Sequence, residues 1–264
     1  MTEDATGTGV DITVPHSARI WNYWLGGKDH YAVDRAAGDQ FSAIYPGIVD
    51  IAVADRAFLG RAVRYLAGEK GVRQFLDVGT GLPTADNTHE VAQRVAPESR
   101  IVYVDNDPLV LTHARALLTS SPQGSTHYAD TDMSDTDAVL REASRWLDLT
   151  QPVLLTFMGV LGHVTDHAEA RRIVDGLMSG LPSGSFLAIN DSIDTSPELE
   201  EALRVYEASG AVPYRTRTLE QFTSYFDGLE LVEPGVVNVN DWHPDPNVPR
   251  GPEIPQAGAV GRKP

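Results

Sequence analysis

From Gln74 onward, short apolar runs of strand type alternate with longer stretches of helical periodicity. Because a parallel crossover needs a dozen or more residues, strands separated by helices are typical of a doubly wound, mostly parallel sheet. We therefore expect an α/β fold. The predicted strands span residues 74–78, 101–105, 126–128, 153–157 and 186–190, and the predicted helices between them span 88–95, 108–118, 135–147 and 166–178.

The segments outside this core differ from it in pattern. Residues 1–14 are small and polar and are predicted to be flexible, whereas residues 15–70 have helical spacing and are predicted to form a helical cap. The core domain is expected to span residues 71–243. It should end in an antiparallel hairpin of residues 229–233 and 236–241, since the link between them is too short for a parallel crossover. The proline-rich residues 244–264 are predicted to form an extended tail.

The composition argues against several classes of function. The chain has 21 Lys and Arg against 37 Asp and Glu, a formal net charge of −16, which disfavours binding to nucleic acids or anionic lipids. It has no cysteine, which excludes disulfides, thiolate zinc sites and cysteine nucleophiles. The longest apolar run, residues 153–161, is far shorter than the ~20 residues of a membrane span, and no signal peptide is visible. We expect a cytoplasmic protein without a nucleic-acid or membrane partner; the oligomeric state stays open.

The first chemical motif is the turn after the first strand, residues 77–81 with the sequence DVGTG. Ligands bind beyond the carboxyl ends of parallel strands, where Gly79 and Gly81 let the backbone approach a ligand closely. The third glycine of a dinucleotide-binding fingerprint would fall at position 84, which is Thr84. The carboxylate of Asp77 also suits a cationic or hydroxyl-bearing ligand better than a phosphate. A nicotinamide site is therefore the weaker interpretation.

Acidic residues also end the next two predicted strands, in the pairs Asp105-Asn106 and Asp130-Thr131. In mononucleotide-binding folds, a carboxylate about twenty residues after the glycine turn binds the ribose hydroxyls. Three acidic strand ends beside a glycine turn favour an adenosine ligand without phosphate, and S-adenosylmethionine is a cationic ligand of this kind. The alternative is that Asp, Asn and Gly are simply common in the loops after strands.

Five further segments carry a family resemblance: residues 17–31 (SARIWNYWLGGKDHY), 75–84 (FLDVGTGLPT), 87–93, 226–237 and 242–244. In these segments the chain resembles an S-adenosyl methyltransferase family that is abundant in actinomycetes and was long catalogued as a domain of unknown function. The resemblance covers residues 15 to 245. It implies a Rossmann-like class I methyltransferase fold, an N-terminal helical cap over the cofactor, and S-adenosyl-L-methionine as that cofactor. One departure is Gly162, where the family pattern has a histidine.

This interpretation assigns roles to residues on four parts of the chain. Residues of the cap would close over the amino-acid end of the cofactor, and the glycine turn would hold its methionine. The ends of the second and third strands would bind ribose and adenine, and the end of the fourth, including Gly159, would lie beside the methyl group. The expected cofactor-binding residues are Tyr23, Gly27, Lys28, Asp77, Gly79, Thr80, Gly81, Asp105, Asn106, Asp130, Thr131, Phe157 and Met158.

A general base is useful when the methyl acceptor is a hydroxyl group or a protonated amine. His163 is the residue expected in that role, and His30 and Asp191 are the next candidates. A helix-capping or solvent-exposed histidine is an equally good interpretation of His163. No group of metal ligands is predicted, because the pair His163 and His167 lacks the further ligands of a zinc site.

Two functions remain open from the sequence. The first is a methyltransferase that acts on a small molecule, with secondary metabolism as the expected setting. The second is a cofactor-binding sensor or interaction partner without transfer activity. The intact glycine turn and the cap favour the first, whereas Gly162 slightly favours the second. The pair Gly26-Gly27 is costly inside a helix and is better explained as a helix stop close to a ligand. We therefore expect residues 15–45 to be a lid that orders when the cofactor binds.

Overall fold

The structure, a computed structural model, describes residues 11–84, 86–107, 109–110 and 119–264. Most of the flexible N-terminus predicted for residues 1–14 lies outside the described residues, and so does most of the helix predicted for residues 108–118.

The described chain begins with three helices and continues with alternating strands and helices. The helices are α1 (Ser17–Trp24), α2 (Ala32–Ile44), α3 (Ile48–Gly68), α4 (Thr88–Val95), α5 (Thr136–Ala143), α6 (His167–Ser179), α7 (Pro197–Ala208) and α8 (Leu219–Ser224). The strands are β1 (Gln74–Val78), β2 (Arg100–Asp105), β3 (Ser125–Asp130), β4 (Leu154–Met158), β5 (Phe186–Ser192), β6 (Glu230–Leu231), β7 (Val237–Asn238) and β8 (Gln256–Arg262). Short 3-10 helices span Leu161–His163 and Val239–Asp241.

One sheet contains all these strands, in the order β3-β2-β1-β4-β5-β8-β6, with β7 paired to β8. Strands β1 to β5 are parallel, and β8 is antiparallel to its three neighbours. The predicted doubly wound, mostly parallel α/β fold is therefore confirmed. From β1 the chain adds β2 and β3 on one side and then β4 and β5 on the other. This reversal leaves a crevice beyond the carboxyl ends of β1 and β4, where ligands bind in such folds.

The C-terminal strands require a correction to the predicted hairpin. Residues 229–233 and 236–241 do not pair with each other; β6 and β7 each pair with β8 instead. The link between them is indeed too short for a parallel crossover, but it does not require the two strands to be neighbours. The antiparallel character was predicted correctly and the partner was not.

The partner strand β8 comes from residues 244–264, which the sequence predicts to be an extended tail. All of its residues except the last are buried. Its glycines leave room for aromatic rings: a Cβ on Gly258 would lie 3.0 Å from Phe58, and one on Gly261 would lie 2.9 Å from Phe226. Because these small residues do not alternate between apolar and polar, β8 lacks the usual pattern of a strand, and the sequence analysis missed it.

The sheet has an apolar core on each face. On one face, α3 packs with strand residues such as Phe75 and Ile101, together with residues of α1, α2, α4 and α7. On the other face, residues of α5, α6 and α8 pack against residues such as Leu76 and Val102. The helix α3 is thus part of the layer that covers the sheet, and within residues 15–70 only α1 and α2 extend beyond it. In the described part of the chain, none of the helices is long and apolar enough to cross a membrane.

Candidate functional site

A cavity of about 770 Å³ lies at the carboxyl ends of the parallel strands. The glycine turn, the loops after β2, β3 and β4, and residues of α1, α2, α3, α7 and β8 form its walls. The predicted site residues that line it are Asp77, Gly79, Thr80, Gly81, Asp105, Asn106, Thr131, Met158 and His163. The cavity thus occupies the position that the strand ends predict for a ligand.

The glycine turn is held in place by backbone geometry. Gly79 and Gly81 have φ angles of +70° and +62°, in the left-handed region that favours glycine. A Cβ on Gly79 would lie 2.3 Å from the Val160 side chain, so this turn packs directly against the loop after β4. The amide of Gly81 donates to Oδ2 of Asp105 at 2.9 Å, which joins the turn to the end of β2.

The two carboxylates at this edge differ in their surroundings. Asp77 accepts hydrogen bonds from Thr88 Oγ1 at 2.5 Å and from Thr156 Oγ1 at 2.9 Å. Burial raises its pKa, and the two hydroxyls together with Arg56 oppose that rise. Both oxygens of Asp77 therefore have partners within the protein, and this residue joins β1 to α4 and β4 as well as lining the cavity.

Among the described residues, the groups that bond Asp105 are backbone amides. Besides the bond from Gly81, its Oδ1 accepts from the Asp107 amide at 3.0 Å. Burial raises the pKa of Asp105, and these backbone donors oppose the rise. A carboxylate offers about four lone-pair sites, so each oxygen still has the capacity to accept a ribose hydroxyl. The geometry at Asp105 is compatible with the role predicted for it.

The helix α1 forms part of the cavity wall, and two ion pairs hold its N-terminal end. Its Arg19 forms a buried ion pair with Asp34 of α2, with Nε 2.8 Å from Oδ2 and side chains only 2% and 0% exposed. Before the helix, His16 Nδ1 lies 3.2 Å from Asp107 Oδ2, in the loop after β2. The α1 residues that line the cavity include Trp21, Asn22 and Trp24.

The helix stop predicted at Gly26-Gly27 is confirmed. Gly26 has φ of +75°, its amide donates to the Tyr23 carbonyl, and the Gly27 amide donates to the Asn22 carbonyl, which together make a Schellman motif. The close neighbour of Gly27 is a side chain of the protein itself, since a Cβ there would lie 2.2 Å from Asn22 Oδ1. In this structure the glycine pair ends α1 and packs on Asn22.

Five predicted cofactor-binding residues do not line the cavity. The Tyr23 hydroxyl donates to Asp39 at 2.6 Å, on the outer side of α2, and Lys28 is exposed. Alternation along β4 explains Phe157, which is buried in the core on the opposite face. Asp130 lies at the end of the edge strand β3 and is exposed. Gly27, described above, is the fifth.

His163 lines the cavity in the form that a base requires. Its Nδ1 lies 2.9 Å from the Pro213 carbonyl, which only accepts hydrogen bonds, so Nδ1 carries the proton and Nε2 the lone pair. Burial lowers the pKa of His163, the Pro213 carbonyl opposes this, and the nearby His16 lowers it further. The two other candidate bases, His30 and Asp191, do not line the cavity. The His30 ring bonds the Gly27 carbonyl, and Asp191 is fully buried.

The glycine at position 162 has a packing explanation. A Cβ at this position would lie 2.4 Å from the Tyr214 ring, so the tyrosine occupies the space that a larger residue would need. Tyr214 in turn donates a hydrogen bond to Asp191 and lines the cavity. The absence of a side chain at Gly162 therefore leaves the space that the Tyr214 ring occupies.

The sequence analysis missed the two charged residues of α3 that line the cavity, Asp55 and Arg56. Asp55 is 3% exposed, and Gln256 Nε2 donates to both of its oxygens at 2.9 Å. Burial lowers the pKa of the neighbouring Arg56, and the carboxylate of Asp77 is the strongest of the groups that oppose this. One signal was available: Asp55 lies four residues from both Ile51 and Leu59, so it puts a charge on the apolar face of the helix.

Strand order, glycine turn and acidic strand ends together define a class I methyltransferase fold. The same fold occurs in the Synechocystis magnesium protoporphyrin IX methyltransferase with bound S-adenosylhomocysteine, at 13% identity over 93% of each chain and a TM-score of 0.53. The chain belongs to the S-adenosyl methyltransferase family, whose sequence model matches residues 3–264. The predicted enzyme class and its cofactor, S-adenosylmethionine, are thereby confirmed.

Two solved structures are similar over nearly the whole chain. A DUF574 family protein from Streptomyces avermitilis has 46% identity and a TM-score of 0.90, covering 96% of this chain and 99% of that one. A candidate methyltransferase from Thermobifida fusca has 37% identity and a TM-score of 0.89, covering 99% of both chains. No curated protein matches the chain.

Proposed function

We propose that this methyltransferase acts on a small-molecule acceptor that binds in the cavity beside Gly159. The observation that carries the proposal is the continuity of the cavity, which runs from the glycine turn and Asp105 to the loop after β4. Its volume of about 770 Å³ lies within the roughly 300–1,000 Å³ of typical small-molecule sites. The cavity therefore has room for a cofactor and a small acceptor under one cap.

The residues present fit the cofactor in charge and in hydrogen-bonding capacity. Asp105 would accept from the ribose hydroxyls, and Asn106 and Thr131 would border the adenine. Asp77 supplies negative charge beside the amino-acid end, and Arg56 supplies the positive charge that a carboxylate needs. When bound, S-adenosylmethionine supplies a methyl group made electrophilic by its sulfonium.

The protein's part in the reaction is positioning, exclusion of water and handling of a proton. The cap helix α1 covers the cavity, which keeps the acceptor near the loop of Met158 and Gly159 and out of contact with water. Neutral His163 offers its Nε2 lone pair for a proton that leaves the acceptor. A base in this form supports transfer over a purely binding role.

The proposal is tested by binding of S-adenosylhomocysteine to wild type, Asp105→Asn and the control Asp137→Asn, measured by calorimetry. Asp137 is an exposed carboxylate in the first turn of α5, away from the cavity. Loss of a charged hydrogen-bond acceptor costs about 1.5–3 kcal/mol, so Asp105→Asn is expected to weaken affinity by roughly tenfold to a hundredfold. The control should bind as wild type does. Unchanged affinity in Asp105→Asn would remove this residue from the site, and binding of NAD in place of S-adenosylhomocysteine would overturn the function.

A further inference from the structure

A buried pair of polar side chains forms the cavity wall next to the loop after β4. The carboxyl group of Asp55 comes from α3 and the carboxamide of Gln256 from the first residue of β8, and both line the cavity. They are 3% and 1% exposed, respectively. The Gln256 Nε2 contacts both carboxyl oxygens at 2.9 Å, which fixes the amide with its nitrogen toward Asp55.

One hydrogen-bond acceptor of this wall has no donor among the described residues. Within the described part of the chain, Gln256 Oε1 is buried and has no hydrogen-bond partner. Asp55 Oδ2 lies 3.3 Å from the position that a Cβ on Gly159 would occupy, so it borders the loop where the acceptor is proposed to bind. A buried acceptor without a partner costs free energy, and a ligand that donates hydrogen bonds would remove that cost.

The surroundings favour a positively charged donor. Burial raises the pKa of Asp55 well above its ordinary value and the nearby Asp191 raises it further, while the side-chain amides of Gln256 and Asn190 oppose the rise. Arg217 is buried close to Asp191, but its guanidinium donates to the carbonyl oxygens of Leu161 and Val164. A cationic ligand at this wall would gain the attraction of a carboxylate in a site where water screens little.

Beyond this wall, the lining between the cap and α7 is largely apolar. The side chains there are Trp24, Phe41, Leu199, Leu203 and Tyr206. The part of the ligand that lies against them is therefore expected to be apolar, with its polar group directed at Asp55 and Gln256.

We propose that the wall of Asp55 and Gln256 binds the amino group of the methyl acceptor, which makes the substrate class an apolar primary amine. The inference rests on the proposed function, since it places the acceptor beside Gly159. A protonated primary amine donates three N–H groups and so can satisfy both Asp55 and Gln256 Oε1, whereas an alcohol donates a single O–H. The number of N–H or O–H donors therefore distinguishes an amine substrate from an alcohol substrate at this wall.

The same contact prepares the amine for methyl transfer. An ammonium proton moves to Asp55 Oδ2: the N–H bond breaks, an O–H bond forms, and the electron pair of the broken bond stays on nitrogen as the nucleophilic lone pair. A carboxylate with a raised pKa is a stronger base for this step than an exposed one.

The experiment compares two probes of the same shape, phenethylamine and 2-phenylethanol, by calorimetry on the full chain. Each is titrated into the protein with and without saturating S-adenosylhomocysteine. The wild type should bind the amine at least about tenfold more tightly than the alcohol, because a charge-assisted hydrogen bond replaces a neutral one. Asp55→Asn should reduce that preference to below about twofold. Asp50→Asn, which changes an exposed carboxylate in the first turn of the same helix, should keep it.

Each outcome decides one point. Equal binding of the two probes to wild type overturns the amine proposal, and this comparison needs no variant and so holds even if Asp55→Asn fails to fold. An amine preference that survives in Asp55→Asn also overturns it. If S-adenosylhomocysteine does not bind while the preference depends on Asp55, the proposed function fails and the amine site stands. If S-adenosylhomocysteine binds and the preference for the amine is absent, the amine proposal fails and the proposed function stands.

Discussion

The buried ion pair between Arg19 and Asp34 should decide whether the cap stays closed over the cavity. Asp34 forms the ion pair with Arg19 and also accepts hydrogen bonds from the His16 amide at 2.9 Å and the Tyr31 amide at 2.8 Å. Asp34→Ala would leave the Arg19 guanidinium buried without its counter-ion. Breaking a buried pair in this way costs about 3–5 kcal/mol, a large part of the roughly 5–15 kcal/mol by which a domain is stable.

Because α1 and α2 extend beyond the layer that covers the sheet, this loss is expected first as local opening of the cap. Urea unfolding should show a loss of about 3 kcal/mol or more, and hydrogen exchange should show weaker protection of the amides of residues 21–31. In the wild type, S-adenosylhomocysteine should increase protection of the same amides, as the lid hypothesis requires. Equal protection with and without this ligand would make the cap a static element.

Two variants control the experiment. Asp39→Ala removes an exposed carboxylate of the same helix that bonds the Tyr23 hydroxyl at 2.6 Å, and should cost no more than about 1 kcal/mol. The double variant Arg19→Met with Asp34→Ala removes both buried charges and should regain part of the loss. If Asp34→Ala were as stable as Asp39→Ala, the argument from buried charge would be refuted.

Two further predictions follow from the site. Gly79→Ala should destabilise the protein by about 1–3 kcal/mol or more, since it combines a positive φ with a contact at 2.3 Å to Val160; a thermal shift within error of wild type would contradict this. Burial raises the pKa of Asp191 to about 6, so the folded protein keeps a proton that the unfolded chain has lost. This group therefore lowers the free energy of unfolding as the pH rises from about 4 to about 6. In Asp191→Asn that fall should be smaller than in wild type, as measured by urea unfolding across this range; parallel curves would rule the assignment out.

Strands β1 to β5 could be predicted because both faces of the parallel sheet are covered. A strand buried on both sides is a largely apolar run, as in β2, where residues 101–104 are apolar and all buried. The positions of Gly79 and Asp105 followed from the same topology, since the carboxyl ends of parallel strands meet at one edge. By contrast, the glycines of β8 are small because Phe58 and Phe226 pack against them. Those contacts are not visible in the sequence around β8.

The rest of the site depends on contacts between residues distant in sequence. Asp55 and Gln256 are adjacent only because α3 and β8 meet at the sheet, and no local pattern at Gln256 indicates a site residue. The predictions for Tyr23 and Lys28 assumed that the whole segment around the glycine pair faces the ligand. A helix presents only one side to the cavity, and Trp21 and Trp24 lie on that side.

The late position of β8 in the chain also bears on protein synthesis. The ribosome releases β5, which ends at Ser192, well before it releases Gln256, where β8 begins. During that interval the outer edge of β5 has no antiparallel partner, and an open edge can pair with another chain. Asp55 is made early but receives its Gln256 partner only when β8 joins the sheet. A nascent chain therefore passes through a stage in which the acceptor wall is incomplete, and a chaperone that covers the β5 edge would protect it then.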